Sequence, residues 1–240
     1  MKIAIIGYGK MGKAIEEIAL QKGHEIALTI SIENINEFTK ENLQKCDLAI
    51  EFTGPESAAD NIKKCFDAGL PVVCGSTGWL NQWEEIEQYR KEKNGAFLYA
   101  SNFSIGVNVF FEINRQLADL MNSRPEYNIT VEEIHHTQKK DAPSGTAITI
   151  AEGILEKIKR KSKWILGISE NTEELNIVSK RIDPAPGTHI VTYDSDIDSI
   201  EIKHTAHSRK GFAFGAVLAA EFLKEKKGIY SMQDVLNFKS

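Results

Sequence analysis

The sequence predicts an α/β chain in two parts, a doubly wound parallel sheet followed by a second, smaller α+β domain bearing a mixed open sheet. Over the first hundred residues, short apolar β-rich runs alternate with runs of helical spacing about a dozen residues long, the rhythm of βαβ units. After Phe103 the rhythm changes to one long helix pattern and several β-rich runs divided by Pro, Gly and Asp. A length of 240 residues holds one large unit or two smaller ones at roughly 100–200 residues each.

Taken in order, Lys2–Ile6 reads as a strand, Met11–Lys22 as a helix (Ile15, Ile18, Ala19 on one face) and Glu25–Ile30 as the next strand. Asn34–Lys45 is polar enough for a surface helix or a loop. Asp47–Phe52, Val72–Cys74 and Ala96–Ala100 read as strands, with helices at Ser57–Ala68 and Gln82–Lys93 between them. The strands are continuous apolar runs, as expected when helices cover both faces of a parallel sheet. Ile105–Met121 is helical. Tyr127–His135 alternates, with Ile129, Val131 and Glu133 on one face and Thr130, Glu132 and Ile134 on the other. Ser144–Lys161 reads as a helix whose basic end, Lys157 to Lys161, is solvated and favoured by the macrodipole. Strands are expected at Asn176–Ile182, Thr188–Asp194 and Ser199–Ala206, and a helix at Phe212–Lys224 packs back on the first domain. The expected division is 1–103 plus 210–240 for the first domain and 104–209 for the second.

Composition narrows the function classes. Apolar residues at 42% and charged residues at 26% are globular values, which excludes a disordered or low-complexity chain. No apolar run approaches the ~20 residues of a membrane span, and the opening MKIAIIGYGKMG breaks into glycine and charge too early for a secretory leader. Cys46, Cys65 and Cys74 are odd in number and lack C-x-x-C spacing, so reduced thiols and a cytoplasmic location are expected. A net charge of −5 argues against nucleic acid as a partner.

Gly7-Tyr8-Gly9-Lys10-Met11-Gly12 follows a strand and opens a helix, the context in which G-x-G-x-x-G marks a Rossmann-like dinucleotide site. The first glycine allows the turn, the second lets backbone approach a diphosphate, and the third lets helix and strand pack closely. Two further turns, Phe52-Thr53-Gly54-Pro55-Glu56 and Gly75-Ser76-Thr77-Gly78, follow later strands, where ligands of such sheets bind. The acid expected after the second strand is not obvious. Glu33 could hold a ribose or be a plain loop acid, and no Arg or Lys lies between Thr29 and Glu33, so the choice between NADH and NADPH stays open.

The densest chemistry lies in Glu132–Thr146. Ser144 is a natural N-cap, which would leave the amides of Gly145, Thr146 and Ala147 aimed outward to take a carboxylate. With Lys139 and a protonatable histidine beside them, the group suits a small dianion. His135 and His136 are not read as a zinc pair, because strand neighbours face opposite ways and no third ligand stands at metal spacing. Ser144 lacks a nucleophile elbow and is read as a cap; Lys140 is read as solvated, and His24, His189, His204 and His207 as structural.

Gly9-Lys10-Met11-Gly12, Gly75-Ser76-Thr77-Gly78, Ala100-Ser101-Asn102-Phe103-Ser104-Ile105-Gly106-Val107 and His135-His136 through Lys139 and Asp141-Ala142-Pro143-Ser144-Gly145-Thr146 occur in that order. Together with Ser208-Arg209-Lys210-Gly211-Phe212 and Met232-Gln233-Asp234-Val235-Leu236, they make the whole chain resemble the 4-hydroxy-tetrahydrodipicolinate reductase (dihydrodipicolinate reductase) family. The resemblance implies reduction of a small cyclic dicarboxylate in the diaminopimelate route to lysine, with NADPH or NADH, by a homotetramer joined through sheets of the second domain; the spacing of the residues leads to no metal being expected. It implies that Gly7, Tyr8, Gly9, Lys10, Met11, Gly12, Gly75, Ser76, Thr77, Ala100, Ser101, Asn102 and Phe103 hold the cofactor, with Arg209 and Phe212 closing on it. It implies His135 as proton donor, Lys139 as a second one, and His136, Gly145 and Thr146 as binders of substrate carboxylates. Ile30-Ser31 stands where longer family members carry an acid, often followed by Arg.

Overall fold

The computed structural model describes residues 1–208 and 210–238. In chain order the elements are β1 (Lys2–Ile6), α1 (Lys10–Gln21), β2 (Glu25–Ile30), α2 (Lys40–Leu43), β3 (Leu48–Glu51), α3 (Ala58–Asp67), β4 (Val72–Cys74), α4 (Trp83–Glu92) and β5 (Ala96–Tyr99). There follow α5 (Ile105–Met121), β6 (Asn128–His135), α6 (Gly145–Lys157), β7 (Lys163–Leu166), β8 (Glu174–Arg181), β9 (Gly187–Asp194), β10 (Ser199–Ala206), α7 (Lys210–Leu223), β11 (Gly228–Tyr230) and α8 (Met232–Val235). The chain divides into two compact units, Met1–Ile105 with Arg209–Ser240, and Gly106–Ser208.

The first unit is a parallel sheet in the order β11-β5-β4-β3-β1-β2. The order reverses at β1, which has β2 on one side and β3 on the other. Alternation along β1 explains the two layers of helix. Ile3 and Ile5 pack with Ile15 of α1 and Ala216 and Ala220 of α7, whereas Ala4 and Ile6 share a core with Ile62 and Phe66 of α3 and Ile86 of α4. At Gly215 of α7, a Cβ would lie 1.7 Å from the Phe103 carbonyl oxygen, so helix and chain touch backbone to backbone there. Burial raises the thiol pKa of Cys46, to about 11, and of Cys65 and Cys74; all three are free and buried.

The second unit is a mixed sheet, β10-β9-β6-β8-β7, in which β6, β8 and β7 run parallel and β9 is antiparallel to both its neighbours. Helices α5 and α6 cover one face: Phe110 and Ala118, and Ala147, Ile150 and Ile154, share a core with Ile129, Val131, Ile177, Val191 and Tyr193. Asn114 ties the helices by donating to the Ile150 carbonyl at 3.0 Å.

The basic end of α6 departs from expectation. The helix stops at Lys157, and Arg160 turns away to donate to the carbonyls of Met121, Asn122, Arg124 and Tyr127. Its guanidinium thus ties down the end of α5 and the turn that follows it, while Lys161, buried, donates to Glu174 O at 2.8 Å. These two cations are structural, not a solvated helix end. No helix among the described residues is long and apolar enough to cross a membrane.

Candidate active site

In the first unit, the glycines divide their work as the spacing predicts. Gly7 has φ +95°, and a Cβ there would lie 2.2 Å from the Phe52 carbonyl oxygen; one on Gly12 would lie 2.6 Å from that of Gly7. A Cβ on Gly9 would meet nothing within 4 Å, which leaves the approach to backbone open at that position. No side chain caps α1, so its first amides remain as donors at the positive end of the helix dipole. This cradle fits a diphosphate. The amides of Gly7 and Tyr8 both donate to Ile30 O at 2.9 Å and pin the loop to the end of β2.

A cavity of about 210 Å³ is lined by Met11, Phe52 and Gly75, together with Ser101, Asn102, Phe103 and Phe212. It gathers residues expected at the cofactor site from four separate stretches of chain. Lys10 and Thr77 are exposed and Ala100 is half-buried, while the Tyr8 hydroxyl donates to Glu16, a bond that raises the phenol pKa. Ser76 has an internal job: its Oγ accepts from Thr53 N at 2.8 Å, and its carbonyl accepts from Trp79 Nε1 at 2.8 Å. Arg209 lies outside the described residues. Sequence reasoning missed Glu51, whose fully buried carboxylate accepts from Thr53 N and Oγ1 and from Cys74 Sγ, and so braces both turns after β3 and β4.

In the second unit, the site grows out of strand register. Glu133 and His135 lie two residues apart on β6 and therefore face the same way, buried at 0% and 7% exposure. Parallel pairing sets Ser179 beside Glu133 and Arg181 beside His135, and antiparallel pairing sets His189 opposite Glu133. Five polar side chains thus meet on one face. The Glu133 carboxylate accepts from Ser179 Oγ at 2.7 Å, from Arg181 at 3.1 Å and from the Ser144 amide at 3.1 Å. His135 Nδ1 stands 3.4 Å from Glu133, in charge contact without a formed hydrogen bond. His189 Nε2 is 3.9 Å from Glu133 and 3.4 Å from Ser144 Oγ, and the two imidazoles meet edge to face at 5.2 Å.

These neighbours set the proton affinities. Burial pushes His135 down to about 4; Glu133 and Asp141 oppose this, and the charges of Lys139 and Arg181 add to it. Burial likewise takes His189 to about 3. Burial alone would raise the Glu133 carboxyl, but the bonds from Ser144, Ser179 and Arg181 outweigh it and leave it below the ordinary glutamate range.

Beyond β6 the chain turns. The His136 amide donates to Ala185 O at 2.9 Å, and its ring is half-buried. Lys139 Nζ pairs with the Asp141 carboxylate at 2.8 Å, and Lys140 is exposed. Ser144 caps α6, accepting from Ala147 N at 3.1 Å. The Ala147 amide, expected to point outward, is therefore consumed by the cap. Gly145 keeps open space around it, since a Cβ there would meet nothing within 4 Å, and Thr146 beside it is buried.

Glu133, His135 and His189 each place one ligand-type atom within 4.8 Å of the others, so a third such group does stand beside His135, contrary to the reading of spacing alone. The donor set does not suit a cation. The Glu133 oxygens already accept three donors, one of them the Arg181 guanidinium, whose charge would oppose a metal ion.

Comparison with known proteins agrees with this arrangement of chain. Residues 1–103 match the family model for the dihydrodipicolinate reductase N-terminus, and residues 106–236 match that for its C-terminus. The 4-hydroxy-tetrahydrodipicolinate reductase of Christiangramia forsetii is 49% identical over 241 residues, covering 99% of this chain and 98% of that one. The enzyme of the same name from Methanosarcina barkeri is 39% identical over 210 residues, covering 85% of this chain and 78% of its own length. The fold is similar to that of dipicolinate-bound dihydrodipicolinate reductase from Paenisporosarcina sp. TG-14, with a TM-score of 0.77 at 20% identity, covering 100% of this chain and 99% of that one. Both halves of the chain are thus matched, over nearly all its length, and it belongs to the dihydrodipicolinate reductase family.

Proposed function

We propose that the chain reduces 4-hydroxy-tetrahydrodipicolinate to tetrahydrodipicolinate with NADH or NADPH, the first unit holding the cofactor and the second the substrate and the proton. The observation that carries this is the buried imidazole of His135, within the field of Lys139 and on the strand that leads to the open, amide-bearing tip of α6. Gly7, Gly9, Gly12 and the first amides of α1 would take the cofactor's diphosphate, and Met11, Gly75 and Ser101 to Phe103 would line its nicotinamide end. The 4-hydroxyl must leave as water with a proton from the neighbouring ring carbon, which gives a ring C=C conjugated with the C=N bond; when bound, the cofactor would supply a hydride to the far carbon of that C=C. The electron pair displaced by that addition needs a proton. With Nδ1 turned to Glu133, His135 would give the proton from Nε2, and Lys139 would add charge and stand as a second donor for that same proton. His136, Gly145 and Thr146 would hold the carboxylates, which fixes the ring against the donor. The dipicolinate in the Paenisporosarcina structure is a small dicarboxylate of the kind such a site would take.

A homotetramer is part of the proposal. Strand β10 forms one edge of the second sheet, with Ile200 38% exposed, and pairing with another copy would cover that edge.

His135→Gln and Lys139→Met should each lower kcat by roughly 10²–10⁴ while the Kd for NADPH, measured by fluorescence titration, stays near that of the parent protein. Full turnover in both variants would remove the two assignments.

A further inference from the structure

We propose that Glu133 is the positioning residue of the proton-delivery site, one buried carboxylate that sets the orientation of His135 and ties it to the tip of α6 and to the turn that carries Lys139. This rests on His135 being the proton donor.

Four elements converge on the carboxylate. From β6 itself comes His135 Nδ1 at 3.4 Å. The tip of α6 is tied through the Ser144 amide at 3.1 Å. Ser179 and Arg181 come from β8, and His189 approaches from β9. Arg181 extends the link, for the same guanidinium nitrogen donates to the Asp141 carbonyl at 2.6 Å, and the Asp141 side chain holds Lys139 at 2.8 Å. Glu133 therefore reaches His135 and the tip of α6 by one contact each, and Lys139 by three, through Arg181 and Asp141.

The residue must be a carboxylate for two reasons. An ionised carboxylate only accepts, with about four lone-pair directions, so it can face an amide, a hydroxyl, a guanidinium and an imidazole N–H together. A glutamine amide would turn one donor toward another. The second reason is charge. Lys139 and Arg181 disfavour the His135 cation, while Glu133 and Asp141 favour it; Glu133 is the nearer and the fully buried one. A neighbouring acceptor at Nδ1 also selects the tautomer that leaves Nε2 to exchange its proton with substrate.

Glu133→Gln keeps the shape and removes the charge. Its expected effect is a fall in kcat of roughly 10–10²-fold, short of losing the acid itself, and a shift of the alkaline limb of kcat, which reports the substrate-bound enzyme, to lower pH by about one unit. NADPH affinity should stay unchanged, and Glu133→Asp should restore part of the pH profile. Nitrogen-15 NMR of the parent protein, labelled in histidine, should show His135 as the Nδ1–H tautomer at neutral pH. An Nε2–H tautomer would overturn the proposal even if Glu133→Gln failed to fold, and so would an unshifted pH limb in a folded Glu133→Gln variant. Activity lost in His135→Gln but unshifted in Glu133→Gln would sink the positioning role alone. Full activity in His135→Gln would instead remove the donor assignment beneath it.

Discussion

His135 presents a tension that the site itself resolves. An imidazole with a pKa near 4 is neutral at pH 7 and a poor source of protons. A dianion placed beside it reverses the balance, because two negative charges favour the imidazolium that burial opposes. Substrate would then charge its own acid, and the protein would not have to keep a buried cation before the substrate arrives. Binding of dipicolinate should accordingly take up about one proton per chain at most, and affinity should rise as pH falls from 8 to 6. Calorimetry in buffers of differing ionisation enthalpy checks both; zero uptake with pH-independent affinity would mean that the carboxylates do not address His135.

At the level of elements, the glycine loop allows fit within the protein to be separated from fit to a ligand. Gly12→Ala puts a methyl against the Gly7 carbonyl and should cost roughly 1–3 kcal/mol in thermal stability. Gly9→Ala meets no protein atom and should cost about 1 kcal/mol or less, yet it should weaken NADPH binding markedly in a fluorescence titration. Equal loss of stability in both would contradict this division. Such local features were legible in the sequence because they depend on neighbours in the chain. The helix at Ile105–Met121, the cap at Ser144 and the turn at Gly7 all follow from residues within a few positions of one another. What could not be read depends on pairing at a distance. The strands β7 and β11, of four and three residues, are too short to show a period, and exist because β8 and β5 offer edges to them. By sequence, Glu133 is one residue of an alternating strand and His189 a structural histidine; that they face each other follows from the register of β6 with β9, which no local spacing shows. Arg160 belonged on paper to the end of α6, whereas the carbonyls it serves are more than thirty positions earlier.

For the molecule as a whole, the polar cluster under α6 sets a direction of pH sensitivity. His135 and His189 have pKa values depressed well below the ordinary 6.5, and that of Glu133 is depressed too. In each case the unfolded chain binds the proton more tightly. The stability these groups contribute is therefore full above about pH 6.5 and is lost, for the histidines, as pH falls through the values near 4 and 3. Lowering the pH from 7 to 5 should lower the thermal midpoint. It should also raise the hydrogen exchange of β6 and β9 before that of β1 and β3, beyond the intrinsic change in exchange rate. Uniform protection loss across both sheets would show that the cluster is not the weak point.

The first unit is assembled from two distant parts of the chain, since β11 pairs with β5, α7 supplies one helical layer, and Phe212 lines the cavity with Ser101 to Phe103. A ribosome releases the N-terminal part first. While residues 106–208 are still being made, the growing polypeptide shows β5 as a bare margin and the Ile3, Ile5 and Ile50 face that α7 will cover as exposed apolar surface. The cavity lined by Met11, Phe52 and Phe212 gains its last wall only after the entire inserted region has emerged, so truncation within the final thirty residues would cripple the half of the protein that was translated earliest.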